Sequence, residues 1–278
     1  MPELPEVETI KTAVQKALGH AEIKDVTVNE RRLRVPVAED FAAQLKGRKI
    51  VGYRRIAKYI VIDLDNRHSL IIHLGMSGRI RLSDTLPLTE KHDHIVFATT
   101  SGYMVYNDAR RFGLCVIAES DNLSANPLFK HIGVDPFDNQ LDGAYLFDKL
   151  RHKSVAVKQA LLDQSLICGI GNIYASEALF GARILPTRTA NSLGLEECEV
   201  LVAQVRQVLR WAIAAGGSTL RDYRKPDGSL GYFQNRHCVY NKTGERCPDC
   251  TCDLAATGGI RKIVQNGRST YFCATKQR

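Results

Sequence analysis

The sequence predicts an α+β protein of several domains: an N-terminal antiparallel β-sandwich with a leading helix, a helical domain, and a small C-terminal β-hairpin module built around cysteines. Three observations predict it. Residues 5–18 carry apolar side chains at helical spacing, and residues from about 22 to 118 alternate with a period of two. Helical spacing returns after Asp135-Pro136, and Cys247, Cys250, Cys252 and Cys273 then crowd the end of the chain. Domains over 1–135, 136–237 and 238–278 follow.

At 278 residues the chain can bury more than one core. A hydrophobic content of 44% with 24% charged residues is that of a soluble globular protein. No basic segment followed by an apolar stretch opens the chain, and no apolar run approaches the length of a membrane span, so secretion and membrane insertion are not expected. The net charge is +8. Basic clusters recur throughout, as in Arg31-Arg32-Leu33-Arg34, Arg54-Arg55, Arg110-Arg111, Arg151-His152-Lys153 and Arg261-Lys262. Their persistence without an acidic tail points to a polyanion, most simply nucleic acid.

In chain order, Val7, Ile10, Val14, Ala17 and Leu18 share one face of the first helix, which Gly19 stops. Strand patterns follow at Ile50–Tyr53, Ile60–Leu64, Leu70–Leu74, Ile80–Leu82, His94–Phe97 and Tyr103–Tyr106, with Asp65-Asn66 and Ser101-Gly102 as hairpin turns. Helices are expected at about 142–152, 154–165, 173–182 and 193–215, the last ended by Gly216-Gly217. Gly169-Ile170-Gly171-Asn172 joins two of them. It reads as a tight turn or as an anion site at a helix start, with Asn172 suited to cap. Residues 217–233 lack apolar periodicity, and a loop of that length in a compact protein is functional or disordered. At the C-terminus, Cys247-Pro248-Asp249-Cys250, a strand, Asn266-Gly267 and a strand ending in Cys273 form a zinc-ribbon pattern. So small a module needs a metal or an equivalent support.

The first residues, Met1-Pro2-Glu3-Leu4-Pro5-Glu6, carry the chemistry. Removal of Met1 would leave a secondary amine on Pro2, and an α-amino group, with a pKa of about 8, is partly unprotonated at neutral pH. Such an amine can attack a sugar carbon and form a Schiff base, with Glu3 beside it to carry protons. The same residues also suit an ordinary helix start.

Taken together these motifs resemble the bacterial formamidopyrimidine-DNA glycosylase family. They are Pro2–Thr9, Ala57-Lys58-Tyr59, His73–Gly78, Lys91–His94, Asp108–Gly113 and Gly169–Glu177, in the family's order and spread along the whole chain. The resemblance implies a base-excision-repair enzyme that removes oxidised purines such as 8-oxoguanine from double-stranded DNA and cleaves the abasic site by β,δ-elimination. It implies a helix-two-turns-helix motif in the helical domain. Pro2 would be the nucleophile, Glu3 the general acid/base, Glu6 a supporting carboxylate and Lys58 a phosphate-holding lysine. Met76, Arg110 and Phe112 would fill the gap that a flipped-out base leaves. His92, Arg110, Asn172 and Arg268 would contact DNA, and residues 217–233 would cap the lesion; for His73, His92 and His94 packing or hydrogen bonding is the competing account.

Zinc is the expected structural ion, and the chemistry needs no nucleotide cofactor. The chain departs from the family at Lys276, where a fourth thiolate is expected, and over the long segment 251–259. Cys247, Cys250, Cys252 and Cys273 can form a four-thiolate set; a water or neighbouring group can replace Cys252, Cys250 can be the spare thiol, or the ribbon can hold without metal. A cytoplasmic, nucleoid-associated monomer is expected. An endonuclease VIII-like enzyme for oxidised pyrimidines and a non-catalytic DNA binder are the rival readings.

Overall fold

The computed structural model describes residues 1–219, 223–248, 251 and 253–278. The chain forms two compact units, Met1–Lys130 with Ile213–Gln234 and His131–Ala212 with Asn235–Arg278. The segment carrying the long loop thus belongs to the first unit, although it follows the helices of the second in sequence.

In the first unit, helix α1 (Leu4–Leu18) buries Val7, Ile10, Val14 and Leu18 at successive turns and stops at Gly19, whose φ of +52° suits glycine. Eight antiparallel strands follow: β1 (Ile23–Val28), β2 (Ile50–Ile56), β3 (Tyr59–Leu64), β4 (His68–His73), β5 (Gly78–Ser83), β6 (Asp93–Thr99), β7 (Gly102–Asp108) and β8 (Leu114–Glu119). A short helix, α2 (Phe41–Leu45), lies between β1 and β2. The strands make two four-stranded sheets, ordered β1-β6-β7-β5 and β2-β3-β4-β8. A single core joins both sheets to α1, with Ile10 and Val14 beside Ile60, Ile72, Phe97 and Tyr106. This is the expected sandwich. The expected turn at Ser101-Gly102 lies one residue earlier, because Thr99 already pairs with Gly102.

The second unit contains α3 (Gly143–Leu150), α4 (Val157–Leu161), α5 (Asn172–Gly181) and most of α6 (Leu195–Ala214). Helix α6 buries Cys198, Leu201, Val202, Val205, Val208, Leu209 and Ala212 along one stripe. Helix α4 is much shorter than the periodicity suggests. The chain before it pairs with a neighbouring stretch, Ala190 N–H donating to Val155 O and Val157 N–H to Arg188 O, and Asp163 turns the chain after it by accepting from Ser165. The unit ends in a one-turn helix, α7 (Leu254–Thr257), and the hairpin β9 (Arg261–Gln265) and β10 (Arg268–Phe272). Asn266 and Gly267, both at positive φ, make the expected two-residue turn. Segment 251–259 holds α7, none of whose residues is buried. Among the described residues, no helix is long and apolar enough to cross a membrane.

Candidate active site and nucleic-acid interface

Pro2, Glu3 and Glu6 are buried at the start of α1, whereas Met1 is exposed. Glu3 is the N-cap. Glu6 Oε2 accepts the Glu3 N–H at 2.8 Å, and Glu6 Oε1 accepts the Ser218 N–H at 2.7 Å. One carboxylate therefore satisfies a helix-start donor and grips the base of the long loop. Gly217 makes that approach possible. Its φ is +80°, and a Cβ there would stand 2.8 Å from Glu6 Oε1. The loop base is closed by Tyr232 N–H to Ala215 O (3.1 Å), Phe233 N–H to Gly217 O (3.0 Å) and Thr219 N–H to Gln234 Oε1 (2.9 Å). Leu220, Arg221 and Asp222 lie outside the described residues.

Lys58 is buried at the two-residue tip of the β2–β3 hairpin, beside Ala57 at φ +52°. Arg55 holds this strained tip, donating to Ala57 O at 3.0 Å and to Glu8 Oε2 of α1 at 3.0 Å. Lys58 and Arg34 also act on His73. Burial first, and then these two cations, depress His73 to about 3, so the ring is neutral and accepts the Gly75 N–H at 3.0 Å.

Met76 lies on the β4–β5 loop, and Arg110 and Phe112 lie on the β7–β8 loop; all three are exposed. The Arg110 guanidinium sits 4.7 Å from the centre of the Phe112 ring. The two loops touch backbone to backbone, since a Cβ on Gly75 would lie 2.4 Å from the Phe112 carbonyl carbon. Buried Asp108 lies beneath them, accepting from Ser77 Oγ at 2.6 Å and Gly113 N–H at 2.9 Å. Nothing in the sequence marks Asp108 as buried, because an aspartate in an arginine-rich turn looks like a solvated one.

The histidines divide by position. His94 is buried and its Nε2–H donates to Asp108 O at 2.7 Å. His92 is half-buried at φ +73°, its carbonyl accepts the Asp108 N–H at 3.2 Å, and its ring stands 6.3 Å from that of His94. Hydrogen bonding and packing account for His73 and His94.

In the second unit, Asn172 is not the cap of α5. Gly171 occupies that position in extended backbone, and Asn172 is the first helical residue. Its side chain faces the ribbon instead: Nδ2 donates to Ser269 O at 2.8 Å and Oδ1 accepts from Lys158 Nζ at 2.8 Å. Lys158, buried on α4, also donates to Ser269 O (3.0 Å) and Thr270 Oγ1 (2.8 Å). Arg268 is exposed next to the Asn266-Gly267 turn and lines, with Lys158, Gln265 and Asn266, a hollow of about 250 Å³. Glu177 of α5 is buried and accepts three backbone N–H groups, those of Cys238, Val239 and Tyr240, at 2.7–3.0 Å. Burial pushes its carboxyl up, against the lowering effect of those donors. Neither Lys158 nor Glu177 was singled out in the sequence, since a lone charge on a short helix looks solvated.

Of the ribbon thiols, Cys247 and Cys273 are buried in one cluster with Val239, Ile260 and Tyr271. Cys250 and Cys252 lie outside the described residues. Lys276 Nζ donates to the Pro248 carbonyl at 2.5 Å and lies 5.8 Å from the Phe180 ring centre. Among the described residues, no group of three metal-binding side chains converges.

His73 in the first unit and His237 in the second, which burial depresses to about 4, yield a pH prediction. Both have folded values below the ordinary 6.5, so the unfolded chain binds more protons between those limits and stability falls with acidification. Each unit is expected to lose about 2–3 kcal/mol between pH 7 and 4.5 through its histidine. Urea unfolding across that range checks it, with His73→Gln flattening the first unit's response; a flat wild-type profile would sink the assignment.

The sequence matches the formamidopyrimidine-DNA glycosylase N-terminal domain over residues 1–115 and the H2TH domain of the same enzyme over residues 132–224. It is 44% identical to a formamidopyrimidine-DNA glycosylase of Rhodospirillum rubrum, covering all of both chains, and 43% identical to one of Wolbachia pipientis, covering 98% of each. Among solved structures, it is 34% identical to a point mutant of the Lactococcus lactis protein in complex with Fapy-dG-containing DNA, with a TM-score of 0.90 and full coverage of both chains. The Lactococcus lactis protein bound to abasic-site DNA gives a TM-score of 0.90 over 99% of each chain. The chain belongs to the formamidopyrimidine-DNA glycosylase family.

Proposed function

We propose that the protein is a bifunctional DNA glycosylase and AP lyase of base excision repair, acting on 8-oxoguanine and formamidopyrimidines in double-stranded DNA. The observation that carries this reading is the double grip of Glu6. It ties the segment bearing Pro2 and Glu3 to the base of the loop that would cover an extruded nucleotide. The Lactococcus lactis relative, seen with Fapy-dG DNA and with abasic-site DNA, supports the substrate class.

Once Met1 is removed, the Pro2 nitrogen attacks C1′ as the bond from C1′ to the base breaks, and the base leaves with a proton. Glu3 protonates the ring oxygen so that the sugar opens to an iminium. Loss of the C2′ proton then expels the 3′ phosphate, a second elimination expels the 5′ phosphate, and water releases the sugar fragment from Pro2. Lys58 holds a phosphate beside the lesion. Met76, Arg110 and Phe112 fill the vacated stack with a thioether, a planar hydrogen-bonding group and an aromatic wedge. His92, Asn172 and Arg268 hold the backbone; contacts of this kind position a duplex without reading sequence.

One structural zinc ion held by Cys247, Cys250, Cys252 and Cys273 is our reading of the ribbon, and the shared burial of Cys247 and Cys273 fits it. Bound there, zinc would cross-link the knuckle to the returning strand. We place the protein in the cytoplasm as a monomer on the nucleoid.

Borohydride trapping tests the reading. A duplex carrying 8-oxoguanine opposite cytosine is expected to give a covalent protein–DNA adduct, at least about tenfold faster than one carrying thymine glycol. The reverse preference would favour an endonuclease VIII-like enzyme, and binding without any adduct would leave a non-catalytic binder.

A further inference from the structure

We propose that Asp108 is a positioning residue that sets Met76, Arg110 and Phe112 as one wedge, so that base extrusion from a duplex depends on a carboxylate that does not touch DNA. The proposal rests on the gap-filling reading of those three side chains. Asp108 ends β7 and is wholly buried. Its Oδ1 accepts from Ser77 Oγ at 2.6 Å and from the Arg110 N–H at 3.2 Å. Its Oδ2 accepts from the Gly113 N–H at 2.9 Å and from Tyr106 Oη at 3.3 Å.

The donors come from both exposed loops. Ser77 immediately follows Met76, while Arg110 and Gly113 bracket Phe112. A second link reinforces the first, because the Arg110 N–H also reaches Ser77 Oγ at 3.0 Å. The main chain of Asp108 is fixed as well, its N–H donating to His92 O and its carbonyl accepting from His94 Nε2–H. The approach is close. A Cβ on Gly113 would fall 1.9 Å from Tyr106 Oη and 3.2 Å from Asp108 Oδ2, so only glycine lets the loop backbone reach the carboxylate.

Three exposed side chains on two loops would otherwise move independently, and most of the energy of insertion would go into ordering them. A buried carboxylate with two oxygens and donors from both loops removes that freedom before DNA arrives. An amide is a poorer partner: whichever way Asp108→Asn turns, its N–H₂ group faces a backbone N–H, that of Arg110 on one side or of Gly113 on the other, and a hydroxyl must reverse to accept from it.

The test compares a substrate that must be flipped with one that need not be. Asp108→Asn is expected to lower kcat/KM on an 8-oxoguanine:cytosine duplex by at least about 30-fold, with Ser77→Ala losing about fivefold, as misplacement of a wedge predicts. Cleavage of a single-stranded abasic oligonucleotide should stay within about threefold of wild type in both. A 2-aminopurine opposite the lesion should report a smaller unstacking amplitude in both. Equal losses on the two substrates would make Asp108 merely structural and overturn the proposal, as would wild-type duplex excision and unstacking. If Asp108→Asn does not fold, Ser77→Ala decides alone by the same criteria. Met76→Ala separates this proposal from the reading beneath it. If Met76→Ala leaves duplex excision intact, the wedge and the proposal fall together; if it impairs excision while Asp108→Asn and Ser77→Ala do not, only the proposal falls.

Discussion

Replacing Pro2 with glycine is expected to lower base excision and strand cleavage by on the order of 10³-fold while duplex affinity stays within about threefold. Basicity is not the reason. A glycine N-terminus is also an α-amine that titrates near about 8, and it too can be unprotonated at neutral pH. The difference is geometric. Pro2 is buried immediately before the N-cap Glu3, and its ring blocks rotation about the N–Cα bond, so the lone pair of the freed amine is held in one direction relative to the helix start. Glycine frees that torsion and empties the ring's seat, and a nucleophile that samples many directions loses the benefit of orientation. Single-turnover excision, borohydride trapping and anisotropy on uncleaved duplex would be measured together. Wild-type excision by Pro2→Gly would end the orientation argument, and wild-type excision by protein shown by mass to retain Met1 would end the amine mechanism.

Glu177→Ala is expected to destabilise the second unit by about 3–5 kcal/mol, because a buried carboxylate that accepts three N–H donors is lost at once, the Val239 donor among them being buried. The carboxylate accepts from Cys238, Val239 and Tyr240, the stretch through which the chain enters the ribbon. Alanine removes both carboxylate oxygens, so the N–H groups of Cys238, Val239 and Tyr240 lose this acceptor together. Glu177→Gln should fall between, since its oxygen can keep two of the bonds while its amide opposes the third. Urea unfolding followed by separate probes for the two units is the appropriate measurement, as a single two-state fit would mix them. A second-unit transition unchanged in Glu177→Ala would remove Glu177 from the account of how the ribbon is held.

Much of the architecture was legible because periodicity is written in neighbouring residues. Helix α1 was read to within one residue at its start, and α5 and α6 to within two at either end. The Asn266-Gly267 hairpin follows from a residue pair at ease with two positive φ angles. Strands β1 and β8 escaped notice. β1 is a sheet edge that interleaves Lys24, Asp25 and Thr27 with its apolar residues, and β8 has no polar alternation to mark it. The sequence also overextended α4 and misassigned the cap of α5, since both depend on partners dozens of residues away.

The same division governs the candidate site. The sequence by itself determined which residue types are present and in which motifs: an N-terminal Pro-Glu on a helix and arginines beside glycine turns, whereas Lys58, expected on a strand, sits at the tip between β2 and β3. Only the tertiary structure decided which groups satisfy one another. Glu6 meets Ser218 across 212 positions, Lys158 meets Thr270 across 112, and Asp108 meets Ser77 across 31. A buried polar group must find a partner somewhere, but its own neighbours in sequence do not say where, because the partner is chosen by the packing of everything between them.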